Sequence, residues 1–250
     1  MITIKSKTEI EYMKAAGRVT YETLELLKEL TKPGVSTLEL DRAAEKYIRS
    51  QGCVPSFKGY GGFPGSVCAS VNDEVIHGIP DKRILKEGDI VSFDTGACYK
   101  GYHSDAARTY GVGKISDEAQ RLIDVTRESF FAGIKFAKDG YRISDISAEI
   151  QRVVEENGYS VLREYCGHGI GHQLHEEPEI PNYFDKRHRG VRIRPGMCLA
   201  IEPMVNQGAK EIYVADNDWT VLTMDGQLAA HYENSILVTN DEPYLLTLCE

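Results

Sequence analysis

Apolar residues recur at three- and four-residue spacing from about residue 6 to 30. They are Ile10, Met13, Ala16, Leu24 and Leu27, with the small Thr20 continuing the stripe and charges between them. A stripe at the helical period predicts an amphipathic helix. Pro33-Gly34 stops it. Ser36-Thr37-Leu38-Glu39 has the capping-box form and opens a second helix running to about Gln51-Gly52. Periodicity then fails. Residues 55–66 are rich in glycine, proline and aromatic rings and read as a loop displaying Phe57, Tyr60 and Phe63. Apolar runs return as strands at 67–71 and 75–80, with a turn at Asn72-Asp73 between them and His77 inside the second. Residues 90–97 and 103–110 predict two strands of a hairpin turning at Tyr99-Lys100-Gly101-Tyr102. Ser116 caps a helix to about Ala137, and Ser144-Asp145 opens another that ends at Asn157-Gly158. Later strands are predicted at 197–204, 212–214, 219–222 and 229–238.

Helices and strands in this mixture predict an α/β (α+β) class, and 250 residues suit a single domain. A hydrophobic content of 42% and a charged content of 27% are those of a globular chain. The net charge of −9 argues against a nucleic-acid or anionic-membrane partner. The N-terminus has no apolar signal-peptide core, and no apolar run approaches the ~20 residues of a membrane span. Cysteines stand at 53, 68, 98, 166, 198 and 249 without a Cys-x-x-Cys pair. Reduced thiols in the cytoplasm are the simpler reading, and a thiolate zinc site is disfavoured.

The densest chemistry lies between Cys166 and Pro178, where His168, His172 and His175 share thirteen residues with Glu176 and Glu177. Gly167, Gly169 and Gly171 frame His168, and glycine permits close backbone approach or positive φ. The stretch reads as backbone shaped to aim His168. Partners lie elsewhere. Asp94 and Asp105 occupy the two arms of one hairpin, although aspartate is depleted in strands, and Glu202 and Glu233 fall within predicted strands. Two pieces of the chain also echo each other. Gly88 and Asp94 match Gly196 and Glu202 at one offset, and His77-Gly78-Ile79-Pro80 matches His175-Glu176-Glu177-Pro178 at another. Such self-similarity predicts two halves about a pseudo-two-fold. A lone His77 would read as a structural residue, but its counterpart in His175 favours a functional one.

Four carboxylates and one imidazole cannot share a pocket without cations. Two divalent ions would neutralise Asp94, Asp105, Glu202 and Glu233, with His168 as the one nitrogen donor. That donor set suits Mn²⁺, Co²⁺, Fe²⁺ or Zn²⁺. Two ions about 3.5–4 Å apart activate a water and clamp a tetrahedral intermediate. His77 and His175 remain to bind substrate and move protons.

The ordered set Asp94, Asp105, His168, Glu202, Glu233 resembles the metal ligands of the methionine aminopeptidases. The segments Ser66-Val67-Cys68, Asn72 to Pro80, Gly167 to Gly171, His175 to Pro178 and Ile201 to Met204 are similar as well. The short run from His168 to Glu202 leaves no room for the inserted subdomain of the type 2 enzymes, so the likeness is to bacterial type 1. The resemblance covers nearly the whole chain, residues 1–250 as one catalytic domain. It implies the pita-bread fold and removal of N-terminal methionine from nascent polypeptides, with a small second residue preferred. It further implies that Asp94 chelates one ion, Asp105 and Glu233 bridge both, and His168 and Glu202 bind the other. Glu202 would also move a proton, and His77 and His175 would contact substrate. The methionine pocket would map onto Phe57, Tyr60, Phe63, Cys68 and Trp219, with Leu174 beside it; Trp219 also reads as plain core. Three positions depart from the family: Phe57 stands where cysteine is frequent, Leu174 where an aromatic is, and Asn234 where histidine is. The expected chain is a cytoplasmic monomer with at most transient ribosome contact. Two rivals stay open. Prolidase, aminopeptidase P and creatinase relatives use similar ligands but carry an extra N-terminal domain, and some relatives have lost the metals and only bind partners.

Overall fold

In the computed structural model, which describes residues 2–248, helices lie over antiparallel sheets. Helix α1 (Lys7–Leu30) begins at Ser6, whose hydroxyl accepts from the Glu9 amide while Glu9 accepts from the Ser6 N–H. Helix α2 (Thr37–Ser50) repeats the capping box with Ser36 and Glu39. Leu24 and Leu27 of α1 and Leu40 and Ala44 of α2 pack on Val67, Ala69, Val91, Phe93 and Ala106. Those residues belong to the Val67–Val71 strand and the long hairpin of Ile90–Tyr99 with Tyr102–Gly111. Asp41 of α2 accepts from the Ser66 and Val67 amides at 2.7 and 3.1 Å and so starts the first of these strands.

Helices α3 (Asp117–Gly133) and α4 (Ile143–Glu156) cover the second half. Leu122, Phe130, Ile146 and Ile150 bury against Leu199, Ile201, Val205 and Ile236. Ser116 caps α3 as expected, but the α-helix stops at Gly133 and only a 3₁₀ turn, Ile134–Phe136, continues it. The start of α4 lies earlier than Ser144. Arg142 is the first cap residue, and Asp145 accepts its N–H at 2.8 Å.

Two expected strands are each broken at a carboxylate. The 197–204 run forms Cys198–Ile201 and Met204–Asn206; the 229–238 run forms Ala229–His231 and Asn234–Leu237. The outer pieces pair in one sheet, Ile201 opposite Asn234, and the inner pieces pair in another, Met204 opposite His231. Glu202-Pro203 and Tyr232-Glu233 are the crossing points between the two sheets. Proline has no N–H for a ladder, and its carbonyl accepts from Tyr232 N at 3.2 Å instead.

Gly167 and Gly169 sit in the Cys166–Gly169 strand at ordinary negative-φ geometry. Close approach explains them: a Cβ at Gly167 would strike the Ala200 carbonyl, and one at Gly169 the Glu177 carbonyl. No helix among the described residues is long and apolar enough to cross a membrane. Cys53, Cys68, Cys98, Cys166 and Cys198 are free thiols, and Cys249 lies outside the described residues.

Candidate metal centre

The hairpin supplies two of the five carboxylate and imidazole side chains singled out in the sequence. Asp94 pairs across the sheet with Cys68 on one side and Ala107 on the other, and Asp105 faces Gly96 in the opposite arm. Asp105 is clasped by one hydroxyl: Ser235 Oγ accepts from its N–H at 2.9 Å and donates to its carbonyl at 2.8 Å. Thr109 Oγ1 clasps His231 in the same way, accepting from its N–H and donating to its carbonyl, both at 2.9 Å. Between the two clasps Glu233 N donates to the Ala107 carbonyl at 2.9 Å, and the Arg108 guanidinium donates to the Glu233 carbonyl. The backbone of Glu233 is therefore held at several points while its side chain is left to the site.

His168 Nδ1 lies 2.8 Å from the Gly169 carbonyl. A carbonyl can only accept, so Nδ1 carries the proton and Nε2 presents its lone pair. Nε2 stands 3.8 Å from Glu202 Oε1 and 4.0 Å from Asp105 Oδ2. Asp105, His168 and Glu233 each bring a donor atom within 4.8 Å of one another, and so do Glu202, His231 and Glu233. Glu233 belongs to both groups. Asp94 Oδ1, Asp105 Oδ1 and Glu233 Oε1 are buried oxygens with no hydrogen-bond partner in the protein. Unpartnered buried carboxylate oxygens are costly, and hard oxygens with one imidazole are the donor set of divalent ions. The residues present therefore fit such ions.

The electrostatics of the ion-free protein point the same way. Burial pushes the Asp94 carboxyl up to about 7 and Glu202 up to about 8. Burial and then the neighbouring carboxylates hold Asp105 and Glu233 well above the usual range. Burial also pushes His168 down to about 3 and His77 and His231 down to about 4. A neutral imidazole is the form that binds a cation.

The carboxylates line one end of a cavity of about 410 Å³ whose other wall is aromatic and apolar. Phe57, Phe63, Cys68 and Leu174 are buried there, and Trp219 packs edge-on to Phe63 at 5.1 Å. Trp219 was expected in a strand but lies just ahead of Val221–Thr223, in a turn where Asn217 Oδ1 accepts from its amide at 3.0 Å. His77 also lies past its strand, Glu74–Ile76, with φ +58°. This left-handed conformation is uncommon outside glycine. It turns the imidazole between Tyr165 at 5.5 Å and Trp219 at 6.4 Å. His175 lies beside His168, ring centroids 4.3 Å apart, and its Nδ1 is 2.8 Å from the Tyr60 hydroxyl. All thirteen residues singled out in the sequence meet around this one cavity.

Residues 11–240 match metallopeptidase family M24. Over its full length the chain is 56% identical to a methionine aminopeptidase of Clostridium acetobutylicum, all of which is covered. It is 51% identical to methionine aminopeptidase 1 of Bacillus subtilis, with 99% of each chain covered. The crystal structure of methionine aminopeptidase from Thermotoga maritima superposes with a TM-score of 0.96 at 44% identity, covering 99% of both chains. The chain belongs to the methionine aminopeptidases of family M24. Prolidase from Pyrococcus furiosus shares the fold, with a TM-score of 0.81 at 23% identity over 66% of its length. The fold is thus the expected pita-bread fold, and a metallopeptidase of this family binds divalent metal.

Against that family background, the departures at Phe57 and Leu174 are buried pocket-wall positions. Asn234 has a structural task. Its Oδ1 accepts from Arg108 at 2.6 Å and from Thr247 Oγ1 at 3.0 Å, joining the C-terminal segment to the arginine that grips Glu233. Tyr165, which lines the cavity, and His231, buried beside Glu202, escaped the sequence reading. Tyr165 is adjacent to Cys166, but one tyrosine beside a glycine-rich stretch carries no signal. His231 stands in the apolar run Ala229-Ala230-His231-Tyr232, where one histidine reads as core.

Proposed function

We propose that this metal-dependent aminopeptidase releases the N-terminal methionine of nascent proteins and peptides with small second residues, using two divalent ions. Asp94 would hold one ion, His168 and Glu202 the other, and Asp105 and Glu233 both. When bound, the ions supply a nucleophilic water near neutral pH and positive charge for the developing oxyanion. One observation carries this reading: buried, unpartnered carboxylate oxygens converge on the polar end of a cavity whose remaining wall is apolar and aromatic.

The chain's own groups account for the rest. The apolar wall of Phe57, Phe63, Cys68, Leu174 and Trp219 accepts the methionine side chain, a thioether that packs well against aromatic edges. Glu202, whose carboxylate faces the same polar end of the cavity, takes and returns the proton of the attacking water. Tyr60 fixes His175 through Nδ1, leaving the other ring nitrogen for the substrate carbonyl. His77, held between Tyr165 and Trp219, faces the same space as a donor to the substrate. Residues 1–250 act as one catalytic domain, a cytoplasmic monomer that meets the ribosome only transiently.

Hydrolysis of Met-Ala-Ser against an Ala-Pro peptide tests the reading. Metal-stripped protein is reloaded separately with Co²⁺, Mn²⁺, Fe²⁺ or Zn²⁺. Release of methionine and no cleavage of the Ala-Pro peptide is expected. Cleavage of the Ala-Pro peptide alone would assign the prolidase substrate class instead.

A further inference from the structure

Glu202 stands between two imidazoles. Its Oε1 faces His168 Nε2 at 3.8 Å, toward the other carboxylates, and its Oε2 faces His231 Nε2 at 3.4 Å. His168 is accounted for as a donor to the ions. His231 is not, yet it is 1% exposed and its Nε2 has no hydrogen-bond partner. A buried ring nitrogen without a partner is costly, so it calls for one.

The imidazole has little freedom to find that partner elsewhere. Thr109 Oγ1 grips both backbone groups of His231, and Ser92 Oγ holds Thr109 at 2.8 Å. Met204 pairs with His231 from the neighbouring strand, so the His231 backbone is anchored between the hairpin and the Met204–Asn206 strand, and the ring itself is buried. Glu202 sits at a break in its own strand, with a carboxyl torsion that is intrinsically broad. A metal-binding carboxylate is in general hydrogen-bonded by an outer group that orients it.

We propose that His231 is a positioning residue of the metal centre, donating from Nε2–H to Glu202 Oε2 so that Oε1 is turned toward the ion. The inference rests on the assignment of Glu202 as a metal ligand. It assigns His231 no contact with the ion, the substrate or the reacting atoms. The hydrogen bond forms as the carboxylate closes the 3.4 Å gap. Without it the carboxylate is free to turn, and the ion it helps to hold is bound less tightly.

The test is Co²⁺ titration of the metal-stripped full chain, followed by calorimetry and by the visible absorption of the bound ion. His231→Leu, His231→Gln and Glu202→Ala are compared with wild type. His231→Leu removes the donor and should weaken Co²⁺ binding about 10- to 100-fold. His231→Gln keeps an N–H donor and should restore the affinity with an unchanged absorption band. Wild-type affinity in His231→Leu would overturn the proposal. So would a loss in His231→Gln as large as in His231→Leu together with a shifted band, which would make His231 a direct ligand. If Glu202→Ala weakens binding while His231→Leu does not, the positioning role alone fails. If Glu202→Ala leaves binding intact, the ligand assignment itself fails. Melting of the metal-free variants reports folding. Should His231→Leu not fold, His231→Asn, whose shorter side chain cannot reach Glu202, takes its place with the same outcomes.

Discussion

Glu233 shows how much local structure one acidic side chain requires. Its amide donates to Ala107, its carbonyl accepts from Arg108, and the hydroxyls of Thr109 and Ser235 clasp the strand on either side. The side chain is left with an unpartnered buried oxygen, which a divalent ion would satisfy. Asp94, Asp105, His168, Glu202 and Glu233 were conspicuous in the sequence because Asp, Glu and His in strand settings are rare without a partner. His231 was not, since one histidine in an apolar run resembles core. The left-handed backbone at His77 was equally hidden, because no residue type around it announces a positive φ. At this scale, His175→Ala should lower kcat for Met-Ala-Ser about 10²- to 10⁴-fold with metal content unchanged; elemental analysis beside the kinetics checks both. Trp219→Ala should open the apolar wall and raise KM by about tenfold, corresponding to ~1.4 kcal/mol of lost side-chain binding. An unchanged KM would leave Trp219 as plain core.

The helices were readable because their signals are local. Ser6, Ser36 and Ser116 each cap the helix that follows them. The two broken strands were not, because apolar pattern alone cannot tell one strand from two that belong to different sheets. The segment around His175 also depends on a distant element. Lys5 Nζ lies 2.6 Å from Glu176 Oε2, and Glu176 Oε1 accepts from the Gln173 amide at 3.1 Å. Burial raises the Glu176 carboxyl, but these bonds and one from Thr3 outweigh it and keep the group below its usual range. The N-terminal segment thus pins the turn that carries Leu174 and His175. Lys5→Ala would leave Glu176 without its cation and should cost about 3 kcal/mol, the scale for breaking a buried ion pair. Urea unfolding measures this, and kcat should fall as well because His175 loses its support.

Across the molecule, two helix-covered halves bring their acidic residues to a common interior, and ion-free stability should depend on pH accordingly. Asp94 and Glu202 are pushed up to about 7 and about 8, so the folded chain binds protons that the unfolded chain has already lost. Their contribution therefore falls as pH rises above about 4. His168, His77 and His231 are lowered, and their contribution rises with pH until about 6.5, where the unfolded imidazole becomes neutral. The two trends oppose below that point. From roughly pH 6.5 to 8 only the carboxylates remain, and the melting temperature of metal-free protein should fall. Divalent ions should remove that slope by holding the carboxylates ionised; a metal-free protein with no slope in this window would contradict the buried-carboxylate picture. The central claim, that Asp94, Asp105, His168, Glu202 and Glu233 together hold the ions that release methionine, is tested most directly by one titration. Metal-stripped wild type and Glu202→Ala are titrated with Mn²⁺, and bound metal and Met-Ala-Ser hydrolysis are read on the same samples. Activity should appear with bound metal in the wild type, saturate near two ions per chain, and be lost in Glu202→Ala along with one ion's tight binding. Full methionine release without bound metal, or undiminished binding and release in Glu202→Ala, would contradict it.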